Sequence, residues 1–409
     1  MNTVFTRRHA LSLAVGSAAA GCAAPSVKLN DALQTPSHSL AGDAGDDRFR
    51  QFATTPETPL HRYGFKAWSD VLSAYVIDVG PPDRFAPAPE APQTGTRFVE
   101  GHDSRYRTEG NRIPFSLFRE EDAKIFTDAR GAIERLPETA PLSGAGWLDQ
   151  MAFWFNLHNA CVIEQIAKQY PVKYPKRMQI GDMLFDDAKL VRVAGVPLSL
   201  KEIRVNIVYR YWRHPAAIYG FFHGIIGGPS IQSFAFEGNT LHRQLARPAG
   251  EFINSLRGVR NYNQHTAVSG LYDEARMLFP NFDEDLRRHL LYFANGVVAE
   301  GLAEGKPLRL SDFEPRVADL AGGDLYTSSS VAVGSATALS ANPSATSAIA
   351  ISELNRSRLK ARLAGMPLPP SAVRMLSELQ EKQERLAIRN RRRSGGTVII
   401  EDLPTDPQF

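Results

Sequence analysis

In this 409-residue sequence His223 and Ser230 are candidates for covalent chemistry. His223 stands seven residues before Ser230, and an imidazole within about 3 Å of a serine hydroxyl can serve as its general base. Linear spacing neither requires nor forbids that contact. Ser233 is the neighbouring alternative nucleophile, and Asn156 is an amide that could orient the pair. Cys161 is the one thiol outside the N-terminal segment, but it sits in the middle of an apolar run, where a cysteine acts as a small core residue. The ten histidines are scattered, and neither HExxH nor CxxC spacing occurs, so no metal site is expected. Gly227-Gly228 lacks the further glycines and the lysine of a phosphate-binding loop. No cofactor is expected. His214, before Pro215, is expected to end a helix, where a cation suits the negative end of the dipole.

The element that must position these residues is the stretch from Trp147 to Tyr170. Phe153, Trp154, Phe155, Leu157, Ala160, Cys161, Val162 and Ile163 leave no wide polar stripe on a helical wheel, so a helix here is buried all round. Asn156 and Asn159 fall three apart and share one face, while His158 projects from the opposite side with Met151 and Val162. An unpaired amide in such a helix costs about 1–3 kcal/mol. The asparagines are therefore expected to tie the helix to a neighbouring loop, with His158 as a structural or cleft residue beside them.

Composition points to one globular body with tails. Hydrophobic residues make up 43 % and charged residues 22 %, an ordinary balance. The formal net charge is only +3 and is not gathered into a basic face with interleaved aromatics, so nucleic acid is not an expected partner. Residues 1–24 have a basic start, a short apolar run and a small-residue end, the anatomy of an export signal. Arg7 and Arg8 resemble a twin-arginine pair. Ala19-Ala20-Gly21-Cys22 is similar to a lipobox, in which Cys22 would carry the lipid and anchor the chain to a membrane. The apolar run is far shorter than the ~20 residues of a membrane span. Residues 25–58, rich in Pro, Ser, Thr, Asp and Ala, read as a flexible tether. The protein is thus expected outside the bacterial inner membrane, periplasmic or membrane-anchored.

In the body, helices are expected over 65–76, 116–136, 147–170, 241–245, 251–256 and 283–303, the last with Leu286, Leu290, Phe293, Val297 and Val298 as its stripe. Residues 189–193 and 196–198 flank Ala194-Gly195 and read as a hairpin. Ser199 and Glu202 form a capping box that starts a helix running to about Trp212. The fold class is therefore α+β: a mainly helical single domain, residues 59–322, with a small β-hairpin or sheet. Residues 323–350 read as a Ser/Ala-rich linker. Residues 351–409 read as a helical or disordered tail, with exposed helices over 351–362 and 372–392 and a lone strand over 397–400.

The run from Ala152 to Ala160 resembles the AFWINLYNAL signature of the DUF547 family. Tyr170-Pro171-Val172-Lys173, the hairpin with Leu198-Ser199-Leu200-Lys201-Glu202-Ile203, and the loop at Gly227-Gly228-Pro229 follow in the family's order, and the likeness extends over roughly residues 62–320. Within it the polar signature differs. The family commonly has Glu-His after the capping-box serine, where this chain has Arg204-Val205. Where it commonly has histidine, then phenylalanine and a short run to Cys, then Cys-Pro, this chain has Ile218, His223 and Gly228-Pro229. The resemblance therefore implies the fold without the activity: a catalytically degenerate module that binds or scaffolds an envelope protein, peptide or glycan. The alternative is a hydrolase of peptide or other amide bonds with a site rebuilt around His223, Ser230 and Asn156. A cleft closed by Val205, Ile218 and Phe222 would favour the first.

Overall fold

The computed structural model describes residues 47–53, 56–88, 104–311, 314–323 and 370–394. The export signal with Arg7, Arg8 and Cys22, most of the tether and of the 323–350 linker, the 351–362 helix and the 397–400 strand lie outside the described residues. Among the described residues no helix is long and apolar enough to cross a membrane.

Helices α1 (Lys66–Tyr75), α2 (Glu120–Glu134) and α3 (Trp147–Gln169) come first in the chain. α3 is the axis of the core. It is buried on every side from Asp149 to Glu164, because no face of it is polar enough to meet water. α2 lies along it, with Phe126 and Ile133 inward and Arg130 reaching Glu164 at 2.8 Å. The start of α3 is fixed by two indoles. Trp147 and Trp212 stack with centroids 4.1 Å apart, and Trp212 Nε1 donates to the Trp147 carbonyl at 3.0 Å.

A two-stranded pair, β1 (Gln179–Ile180) with β2 (Met183–Leu184), precedes the expected hairpin of β3 (Lys189–Val193) and β4 (Val196–Ser199). Ala194 and Gly195 turn this hairpin with φ of 47° and 80°, the positive values that a two-residue turn of this hand demands. The capping box follows: Glu202 N–H donates to Ser199 Oγ at 3.2 Å, and Ser199 N–H donates to Glu202 Oε2 at 2.9 Å. The helix it opens, α4, is wound as a π-helix over Glu202–Tyr209 and continues as an α-helix over Arg210–Trp212.

Several expectations need correction. The tether does not extend to residue 58: Asp47–Ala53 form a 3-10 helix whose Phe49 and Phe52 enter the main core, and Phe52 packs edge-on to Trp154. Two phenylalanines one short-helix turn apart supply an anchor that the surrounding polar composition conceals. The helices expected at 241–245 and 251–256 are one, α5 (Leu241–Ile253). It runs through Pro248 because Leu241, Leu245, Pro248, Ala249, Phe252 and Ile253 are all buried along one side. Conversely, 283–303 is two helices, α6 (Phe282–Phe293) and α7 (Gly296–Ala303). Asn254 breaks them apart by donating to the Phe293 carbonyl and accepting from Asn295 N–H, each at 2.8 Å.

A sheet with no clear sequence pattern completes the body. β5 (Val259–Asn261) pairs antiparallel with β6 (Thr266–Ser269), and β6 pairs parallel with β7 (Leu308–Ser311). The final element, α8 (Pro370–Ser394), is not an exposed tail helix. Ala372, Met375, Leu376 and Leu379 are buried against Ile77, Val79, Leu117 and Leu320. The whole is a mainly helical α+β fold with sheets of two or three strands.

Candidate functional site

Both asparagines of α3 clamp loops. Asn156 donates to the Phe236 carbonyl at 2.8 Å and accepts from Phe236 N–H at 3.0 Å. Asn159 donates to the Gly220 carbonyl at 2.9 Å and accepts from Phe222 N–H at 2.8 Å. A buried side-chain amide has donors and an acceptor in one plane, so each one satisfies both hydrogen-bonding groups of a passing backbone. Gly220 permits the approach, since a Cβ there would run into the Phe155 ring.

His158 is not on a separate face. Its Nδ1 lies 3.1 Å from Asn159 Oδ1 and its Nε2 lies 3.0 Å from Arg204 Nη1. A guanidinium only donates, so Nε2 must be the acceptor and the proton sits on Nδ1, donated to Asn159. Burial, reinforced by the adjacent Arg204 charge, pushes the imidazole well below its usual pKa. His158 is held neutral, in one tautomer.

Arg204 is the centre of this cluster. Its side chain is 1 % exposed and makes paired hydrogen bonds to Asp186 at 2.8 and 2.5 Å and to Glu274 at 2.6 and 2.8 Å. Burial opposes its charge, but Glu274 and Asp186 outweigh that and keep it fully protonated. Two carboxylates and one histidine nitrogen thus converge on one guanidinium.

His223 stands beside this cluster, with its ring centroid 6.2 Å from that of His158. Its Nε2 is buried with no hydrogen-bond partner, and burial, with Arg204 and Lys176 adding to it, lowers its pKa well below the ordinary value. Ser230 belongs elsewhere. Its hydroxyl donates to Glu251 Oε2 at 2.9 Å and accepts from Asn111 N–H and Arg257 Nη1, each at 3.3 Å. The structure does not pair His223 with Ser230, and Asn156 is committed to Phe236. Ile218 and Phe222 are buried in the core and Val205 packs partly buried against it. His214 is also corrected: its Nδ1 accepts from Ala216 N–H at 3.1 Å, and burial lowers its pKa to about 4. It is a neutral cap, not a cation at a helix end. Burial likewise pushes the Cys161 thiol far up, which leaves it inert.

Ser230 and Glu251 lie at the floor of a groove of about 1250 Å³ between residues 76–84, the body, and α8. Val79, Val298, Leu376 and Leu379 give it apolar walls, while Asn111, Gln232, Gln380 and Gln383 supply amides. The floor is fixed by Arg257, which is paired with Glu251 and donates to the Gly228 carbonyl at 2.7 Å. The Gly227-Gly228-Pro229 loop is therefore strapped in place. Among the described residues no group of His, Cys, Asp and Glu could hold a metal ion.

Fold and site together define a mainly helical α+β domain built on a buried, amide-clamped helix. Residues 147–253 match the family model DUF547, a protein family of unknown function, so the chain carries a DUF547-like domain. No curated protein and no solved structure matches the chain.

The clamps are legible in the amino-acid sequence and the charge cluster is not. Asp186, Arg204 and Glu274 are far apart in the chain, and Arg204 lies within the π-wound part of α4. The one available signal was a charged residue, Arg204, among the apolar positions of a helix that follows a capping box.

Proposed function

We propose that this domain is a non-catalytic binding module, carried by an exported and lipid-anchored chain, whose ligand is an extended peptide segment of the cell envelope. The observation that carries the reading is the closed ion network at Arg204: where the family resemblance implies a glutamate, a guanidinium stands and engages His158, Asp186 and Glu274. The groove beside α8 supports the choice of ligand. It exceeds the roughly 300–1000 Å³ of ordinary small-molecule pockets, and Gln380 and Gln383 in its lining are amides able to pair with a peptide backbone. Export and anchoring are supported by residues 1–24, with Arg7, Arg8 and Cys22 in the positions already described.

Calorimetric titration of the purified mature chain with envelope-derived peptides, run beside a hydrolysis assay, tests the reading. Binding without turnover is the expected result, and binding of glycan strands alone would reassign the ligand. The rival reading, a hydrolase, draws on the unpartnered Nε2 of His223. Turnover abolished by His223→Ala would establish that reading and overturn the first.

A further inference from the structure

The seat of α8 has the form of a helix-binding site. Ala372, Met375, Leu376 and Leu379 follow the i, i+3, i+4, i+7 spacing by which an amphipathic helix lies in a groove. The apolar residues they touch, Ile77, Val79, Leu117 and Leu320, form with them a cluster of their own, and no residue of α8 enters the main core. Charged contacts fix the register. Arg107 holds Glu378 through two hydrogen bonds, at 2.6 and 2.7 Å. Lys382, fully buried, donates to the Thr108 carbonyl at 2.8 Å. Arg385 reaches Asp83 at 2.9 Å and lies over the Phe85 ring. Residues 324–369 separate Gly323 from Pro370 in the sequence.

We infer that this face is a helix-binding site which α8 occupies as a removable ligand in cis, so that the neighbouring groove is assembled when α8 docks and dismantled when it leaves. α8 supplies one wall of that groove through Leu376, Leu379, Gln380, Gln383, Leu386 and Arg389. Ligand in the groove and α8 in its seat must then favour each other equally, because coupling between two binding events is reciprocal. The ligand half of this inference rests on the proposed function; the docking half does not.

Hydrogen exchange on the full chain tests the docking. Arg107→Glu and Glu378→Arg should each speed exchange of the α8 amides by about tenfold or more, with α3 unaffected, since an opened segment exchanges independently of the core. The double variant Arg107→Glu/Glu378→Arg should recover protection. Because Arg107 also donates to the Ala88 and Ser104 carbonyls, Leu376→Glu, which alters the apolar face of α8, serves as a second variant for the exchange readout. It should release α8 in the same way. Unchanged α8 exchange in the single variants, no recovery in the double variant, or loss of α3 protection along with α8 in every variant would each overturn the inference. Peptide binding weakened in Arg107→Glu and Glu378→Arg, whose residues do not line the groove, would confirm the coupling. If the wild-type chain binds no peptide, the groove reading fails while the exchange result still decides the docking.

Discussion

Arg204 Nη1 donates to His158 Nε2 at 3.0 Å, with both side chains almost fully buried. This contact joins α4 to α3, and it fixes the histidine as neutral. A core helix of this kind could have carried a general base. Here the would-be base accepts a hydrogen bond from a permanent cation.

Removing that cation should be costly. Arg204→Met leaves Asp186 and Glu274 without their partner, and breaking a buried ion pair costs about 3–5 kcal/mol. The lower end is expected, since the two carboxylate side chains remain 35 % and 26 % exposed. Urea unfolding measures the loss; an unchanged midpoint would show that the network contributes nothing to stability.

The same network sets an acid limit. Burial alone would raise the Asp186 pKa, but the charge and hydrogen bonds of Arg204 overcome it and bring it from 3.8 to about 2. A carboxylate with a lowered folded-state pKa stabilises above its unfolded value and loses that contribution as pH falls. Stability from Asp186 should therefore be complete above about pH 4 and disappear towards pH 2. In Asp186→Asn the slope of unfolding free energy against pH across that window should be shallower.

The amide clamps should differ in cost. Asn156→Ala strands one backbone N–H and one carbonyl, and each buried unpaired group costs about 1–3 kcal/mol. Asn159→Ala strands the groups of Phe222 and Gly220 and also removes the acceptor for His158 Nδ1. Asn159→Ala should be the more destabilising of the two by thermal unfolding. The reverse order would mean that His158 gains little from its partner.

Cys161 should behave as a core side chain. It is fully buried and burial raises its thiol pKa, so in a Cys22→Ser chain it should react with a thiol reagent only as fast as the protein unfolds. Rapid labelling of the native chain would contradict this.

Anchoring is separately testable. If Cys22 carries a lipid, Cys22→Ser should move the protein from the membrane fraction to the soluble fraction. An unchanged distribution would leave residues 1–24 as a cleaved signal only.

The sequence by itself determined the central helix, because an apolar run with no polar face has only one place to go. It determined the hairpin through Ala194-Gly195 and the start of α4 through Ser199 and Glu202, since turns and caps are local chemistry. It also marked Asn156 and Asn159 as clamps, because buried amides must find partners. Only tertiary structure decided which partners they found. It brought Asp186, Arg204 and Glu274 together across 88 residues of chain, separated His223 from Ser230, joined the halves of α5, broke α6 from α7 at Asn254, and seated α8 on Ile77 and Leu117. Those outcomes depend on contacts between residues distant in sequence, whose energies no local pattern records.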